Sequence, residues 1–315
     1  MSSDLLISVP VVSAPADADT RDGDAGDGAS AGRGAAGRRL IALRAGLLAV
    51  LRQPGLVAAV LVLLVVALWA LFPALFTSYS PIDGVPRDKL QPPSGTHLFG
   101  TDNLGRDLFA RVVYGSATSL AATAAAVVVG LVVGSLFGLL AGFLRGVVDD
   151  AVMRFMDVLL AIPSLLLSLA LITALGFGTL NVAVAVGLAS VASFSRVMRA
   201  EVLTVTSAVY VEAARASGVR WFTVLRRHVL PNASGAVLAL SALEFGAAVL
   251  AISSLSFLGF GAPPPAPEWG SLVAGGRDYL AVAWWLTTFP GLVVVAVVLS
   301  ANRVARAFER TGGRR

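Results

Sequence analysis

The chain has 315 residues, 57% of them hydrophobic and only 14% charged, against about 25% charged in ordinary soluble domains. That balance excludes a soluble domain and points to an all-α polytopic membrane protein. Cysteine is absent, which removes disulfides, thiolate catalysis and cysteine metal sites. A single lysine, Lys89, leaves no G-x-x-x-x-G-K-[ST] phosphate loop, so ATP hydrolysis has to come from another subunit.

In chain order, residues 1–52 read as a cytoplasmic tail, largely disordered because its Ala, Gly, Asp and Ser offer little apolar surface to offset ordering entropy. Leu5 to Val12 faintly resembles a signal-peptide core, but no basic residue precedes it and Pro10 interrupts it. Hydropathy then gives six spans, near 56–76, 119–141, 158–176, 181–199, 233–254 and 281–301, each long enough for a hydrocarbon core of roughly 30 Å. The first transmembrane helix occupies 53–76, an extracytoplasmic loop 77–117, and a core of five spans 118–302 with a cytoplasmic loop at 200–232. A basic tail, 303–315, closes the chain. The uncharged run from Val158 to Ser195 is too long for one helix, and Gly176, Gly178 and Asn181 supply the turn between two short ones.

Cytoplasmic loops retain Lys and Arg. With both termini inside, the outer loops carry only Arg87, Lys89, Arg106, Arg111 and Arg277 of the 24 basic residues. The net charge of +5 therefore reflects topology and gives no reason to expect nucleic-acid binding.

Several stretches stand out within this frame. Asp102, Arg106, Asp107 and Arg111 are expected to form a solvated, mutually paired face on a short interfacial helix. Gly130, Gly134, Gly138 and Gly142 recur one turn apart, as at a close helix–helix interface. Pro163, followed by Ser164, predicts a kink in the third span, and Glu244 lies mid-way along the fifth; all three are candidates for the pathway or its gating. Trp269, Trp284 and Trp285 suit the membrane interface. Between the fourth and fifth spans, Val209 to Asn232 is charged and amphipathic. Tyr210, Ala213 and Ala214 share one face with Glu212 beside them, Gly218 stops the helix, and Pro231, after Leu230, opens the next span.

The spacing Glu212-Ala213-Ala214, Gly218, Leu230-Pro231 resembles the EAA loop of permease subunits of bacterial ATP-binding-cassette (ABC) importers. The run His97 to Leu120, the stretch Met156 to Ser164 and the stretch Leu255 to Gly270 are similar to motifs of the dipeptide, oligopeptide and nickel branch, on its C-type side. Ala110 and Ala117 depart from that pattern, and the acidic C-terminal pattern is missing. The resemblance implies a type I permease core in a prokaryotic plasma membrane, with no cofactor of its own. It further implies a second homologous permease, two cytoplasmic ATP-binding subunits, an extracytoplasmic substrate-binding protein and surrounding lipid as partners. Tyr210, Glu212, Ala213, Ala214, Gly218, Leu230 and Pro231 would couple the chain to the ATPase, and the cargo would be peptides, or alternatively nickel or another small solute. A proton-coupled carrier is a more distant alternative, since only Glu244 is a clear ionisable group within a span. An intramembrane enzyme is disfavoured because His97 and His228 both fall outside the spans.

Overall fold

A computed structural model describes residues 53–312; the expected tail 1–52 and the last residues of the basic tail lie outside the described residues. Among the described residues the fold is helical, with one isolated bridge between Thr101 and Asp107. Helix α1 is Pro54–Leu71, α2 Leu108–Leu144, α3 Gly146–Ala161, α4 Ser164–Leu175 and α5 Thr179–Thr206. The short α6, Val209–Ala216, leads to α7, Trp221–Phe257, then α8, Trp269–Gly276, and α9, Trp285–Gly312. Five of these are long and apolar enough to cross a membrane, or six if α3 and α4 count as one bent span.

Side-chain size sets the packing. Gly130, Gly134, Gly138 and Gly142 are all buried against α5. A Cβ on Gly134 would stand 2.5 Å from Phe194 Cβ and 2.6 Å from the Val191 carbonyl, and one on Gly142 would stand 2.9 Å from Val202 Cβ. Hydrogen in place of a side chain is what lets α2 and α5 approach so closely. Apolar side chains on the opposite edge of α2, including Val128, Val132 and Leu136, face outward, as lipid contact requires.

Three expectations need correction. The third span is not a kinked helix over 158–176 but two helices, α3 and α4, bent by 97°. Pro163 disfavours a helical conformation in the residue before it; Ile162 is extended at φ −92°, ψ 128°, and Pro163 follows at ψ 130°. Pro231 does not open a helix, because α7 already runs from Trp221. A π turn over Leu225–Val229 precedes it, with the Leu230 N–H donating to the Leu225 carbonyl. That wider turn accommodates a residue that has no N–H and whose ring crowds the preceding turn.

The third correction concerns Trp269, Trp284 and Trp285: of these three only Trp284 is exposed, while Trp269 and Trp285 are core residues. Trp269 Nε1 donates to the Val112 carbonyl at 3.1 Å and Trp285 Nε1 to the Thr101 carbonyl at 3.3 Å. They pin the segment before α2 and the helix after it to the core, because a buried indole N–H needs an acceptor.

Candidate functional site

At one end of the bundle, the residues ahead of α2 fold into a compact cap. Asp102 Oδ1 accepts the N–H groups of Leu104 and Arg106 at 2.8 and 3.0 Å, and its Oδ2 accepts Arg106 Nε at 2.7 Å. Gly105 turns the chain at φ +76°, where a Cβ would strike the Val85 carbonyl. Asp107 caps α2 through the Ala110 N–H at 2.7 Å and holds His97 Nδ1 at 2.8 Å. Arg111 reaches back to the Pro81 carbonyl at 2.7 Å. The expected charged face is therefore paired but not solvated: Asp102, Arg106 and Asp107 lie in the turn before α2, and Arg111 lies in the first turns of that long helix. Asp102, Asp107 and Arg111 are all buried, with partners drawn from nearby backbone groups and from the side chains of Arg106 and His97.

Glu268 carries a site that the sequence reading passed over. It is buried, accepts the Ser256 hydroxyl and the Ala262 N–H, and sits beside Trp269. Burial pushes its carboxyl above the ordinary value, with the two hydrogen bonds opposing. A lone carboxylate between Pro267 and a tryptophan was the available signal: an acid in an apolar loop needs internal partners.

At the opposite end lies α6. Val211 is fully buried with Val205, Val224 and Val229, while Tyr210, Glu212 and Ala213 are exposed and Ala214 is half-buried. The helix closes on Gly218 at φ +79°: the Gly218 N–H bonds the Arg215 carbonyl at 3.0 Å and the Val219 N–H bonds that of Ala214 at 3.2 Å. This pair of bonds is the Schellman arrangement, which requires the left-handed conformation glycine adopts freely. Around it, the Arg215 guanidinium lies 5.7 Å from the centre of the Phe143 ring, and Trp221 and Phe222 are exposed. Leu230 and Pro231 are also exposed, but on α7 beyond the π turn.

Midway between the ends, Ser164 and Glu244 line one cleft of about 240 Å³ with Ser168, Ser190, Ser193 and alanines of α5 and α7. Pro163, at the bend, sits beside this cleft in the chain and does not line it. Arg199 grips Asp149 through a forked contact, with Nη2 2.6 Å from Oδ2, and so holds α3 against α5 on the far side of the bend. Among the described residues no cluster of three or more His, Asp or Glu could hold a metal ion.

Comparison with known proteins decides the family. Residues 134–311 match the model of the binding-protein-dependent transport system inner membrane component. The chain belongs to that family. Relatives of this inner membrane component include the dipeptide transport system permease protein DppC of Alkalihalophilus pseudofirmus, 36% identical over 75% of this chain and 77% of the relative. The di/tripeptide transport system permease protein DppC of Pseudomonas aeruginosa is 38% identical over 79% and 84% respectively. The glutathione transport system permease protein GsiD of Pectobacterium atrosepticum is 38% identical over 80% and 84%. A chain in the crystal structure of an amino acid ABC transporter with histidines shares the fold, with a TM-score of 0.50 at 17% identity, covering 64% of this chain and 94% of that one. The inner membrane component is thus a multi-pass ABC-transporter permease whose helices carry no ATP site of the phosphate-loop kind.

Proposed function

We propose that this permease carries dipeptides and longer peptides into the cytoplasm of a prokaryote, as one of two homologous permeases in an ATP-driven importer. The observation that carries the substrate class is the identity of 36–38%, over three quarters of the chain or more, to permeases named for dipeptide and di/tripeptide transport. Two ATP-binding subunits supply the energy, and an extracytoplasmic binding protein delivers the peptide to the end that holds Asp102.

The other end, with both termini, faces the cytoplasm. That orientation rests on the distribution of basic residues, with Arg215, Arg220, Arg226 and Arg227 around α6. In this reading α6 is the coupling helix. It offers Tyr210, Glu212 and Ala213 to an ATPase, and its buried Val211 ties it to α5 and α7, so a displacement of α6 is felt in the spans. Leu230 and Pro231 set the joint by which that displacement enters α7.

Mild-detergent purification of the tagged full chain from its native membrane, with mass identification of co-eluting proteins, tests the assignment. Two ATP-binding subunits, a related permease and a peptide-binding protein are expected. A chain that elutes alone, under conditions that keep other importers intact, would overturn it.

A further inference from the structure

The cleft midway along the bundle has an unusual chemical lining. Its charged group is Glu244, half-buried near the centre of α7, and among the described residues the carboxylate has neither an ion-pair nor a hydrogen-bond partner. A carboxylate at that depth is costly to keep without a counter-charge, and such groups face a cavity that admits one. No Lys, Arg or His lines the cleft.

Four serines do, and their hydrogen bonding is directional. Ser168 Oγ donates to the Ser164 carbonyl at 2.9 Å and Ser190 Oγ to the Gly187 carbonyl at 2.8 Å. With their protons committed to the helix backbone, both hydroxyls are left with lone pairs to offer. The remaining wall is Val127, Val186 and alanines, which leaves room and contributes no donors. Ser164 and Ala247 are exposed, so the cleft opens at the surface of the chain.

A carboxylate surrounded by hydroxyl acceptors in a small apolar recess suits a compact cation with several N–H donors. We infer that Glu244 and the serines of this cleft form a transient binding site for the α-ammonium group of the transported peptide. An ammonium has three donors: the carboxylate takes one or two, and the serine lone pairs take the rest. The cleft lies beside the α3–α4 bend, so an occupant at Glu244 touches Ser164, the first residue beyond Pro163.

This inference rests on the peptide reading above, and one experiment separates the two. Uptake of radiolabelled trialanine and of N-acetyl-trialanine is measured in cells that express the full chain with its native partners, as wild type, Glu244→Gln and Glu244→Asp. Glu244→Gln is isosteric and removes only the charge, and its abundance in the membrane is measured alongside. Trialanine uptake is expected to fall about tenfold or more in Glu244→Gln, as for loss of one partner in a buried charge pair, and to recover in part in Glu244→Asp. Entry of the N-acetylated peptide, at whatever rate the wild type sustains, is expected to stay unchanged.

Equal uptake of trialanine by Glu244→Gln and wild type would overturn the ammonium site while leaving the peptide importer standing. So would an equal loss of both peptides, which would mark Glu244 as a packing residue. A wild-type chain that imports neither peptide rejects the peptide reading, and the ammonium site falls with it.

Discussion

Gly218 and Glu268 show how differently two single residues can matter. A Cβ at Gly218 meets nothing within 4 Å, so its requirement is conformational: φ +79° costs an ordinary residue about 1–2 kcal/mol. Gly218→Asp should therefore insert and fold, yet place a side chain and a charge on the exposed face at the end of α6. Wild-type abundance in the membrane with transport abolished is the expected outcome of paired immunoblot and uptake measurements; normal uptake would argue against coupling through α6. Glu268 is constrained by solvation instead. Its folded-state pKa is raised by burial, so the native protein holds this proton more tightly than the unfolded chain does. The stability this confers is complete below the unfolded value of 4.5 and is lost as pH rises through the folded value. Glu268→Gln mimics the protonated acid, keeping an acceptor for the Ala262 N–H and a donor toward Ser256. Thermal melts of the purified full chain between pH 4 and pH 8 should show this decline in the wild type and a flatter profile in the variant.

Helix pairing and helix breaking are decided at the scale of elements. The stripe from Gly130 to Gly142 fixes the distance between α2 and α5, and Gly134 has no room to change, with Phe194 Cβ and the Val191 carbonyl against it. Gly134→Leu should lower the melting temperature of the purified chain, with a cost of at least roughly 1–3 kcal/mol from overpacking. Gly235→Leu is the control, since a Cβ there meets nothing within 4 Å, and equal melting of the two variants would refute the packing role. The two prolines act differently although their chemistry is the same. Pro163 interrupts a segment whose preceding residue is free to become extended, and the helix breaks. Pro231 lies in a helix held by buried Val224, Val229 and Ala233, and there the chain keeps its course by inserting a π turn.

For the whole molecule, what the sequence revealed was what depends on periodicity and on local backbone chemistry. The apolar runs, the glycine spacing and the Gly218 stop are each written in neighbouring residues, and the order of the motifs from His97 to Trp269 carried the family. Long-range partners were hidden. Nothing near Trp269 or Trp285 in the chain says that their indoles reach Val112 and Thr101, and nothing beside Glu268 names Ser256 as its donor. The burial of Asp102 depends likewise on how the segment from Pro81 to Val85 folds back over it. Glu244 and Ser164 were each conspicuous, but only the fold joins them in one cleft.

The lengths of two helices have a mechanical consequence. Helices α2 and α7 each have 37 residues, about 55 Å at 1.5 Å per residue, while the hydrocarbon layer is roughly 30 Å thick. Both run from the Asp102 end, where Leu108 and Ser256 line one cavity, to the α6 end, where the ring centres of Phe143 and Trp221 lie 6.1 Å apart. A rod that reaches from one end of the bundle to the other acts as a lever between them. A tilt of about 10° moves each tip of such a rod by about 5 Å, in opposite directions at its two ends. A small tilt of such a rod therefore shifts its two ends in opposite senses, so a change at the α6 end is felt at the Asp102 end.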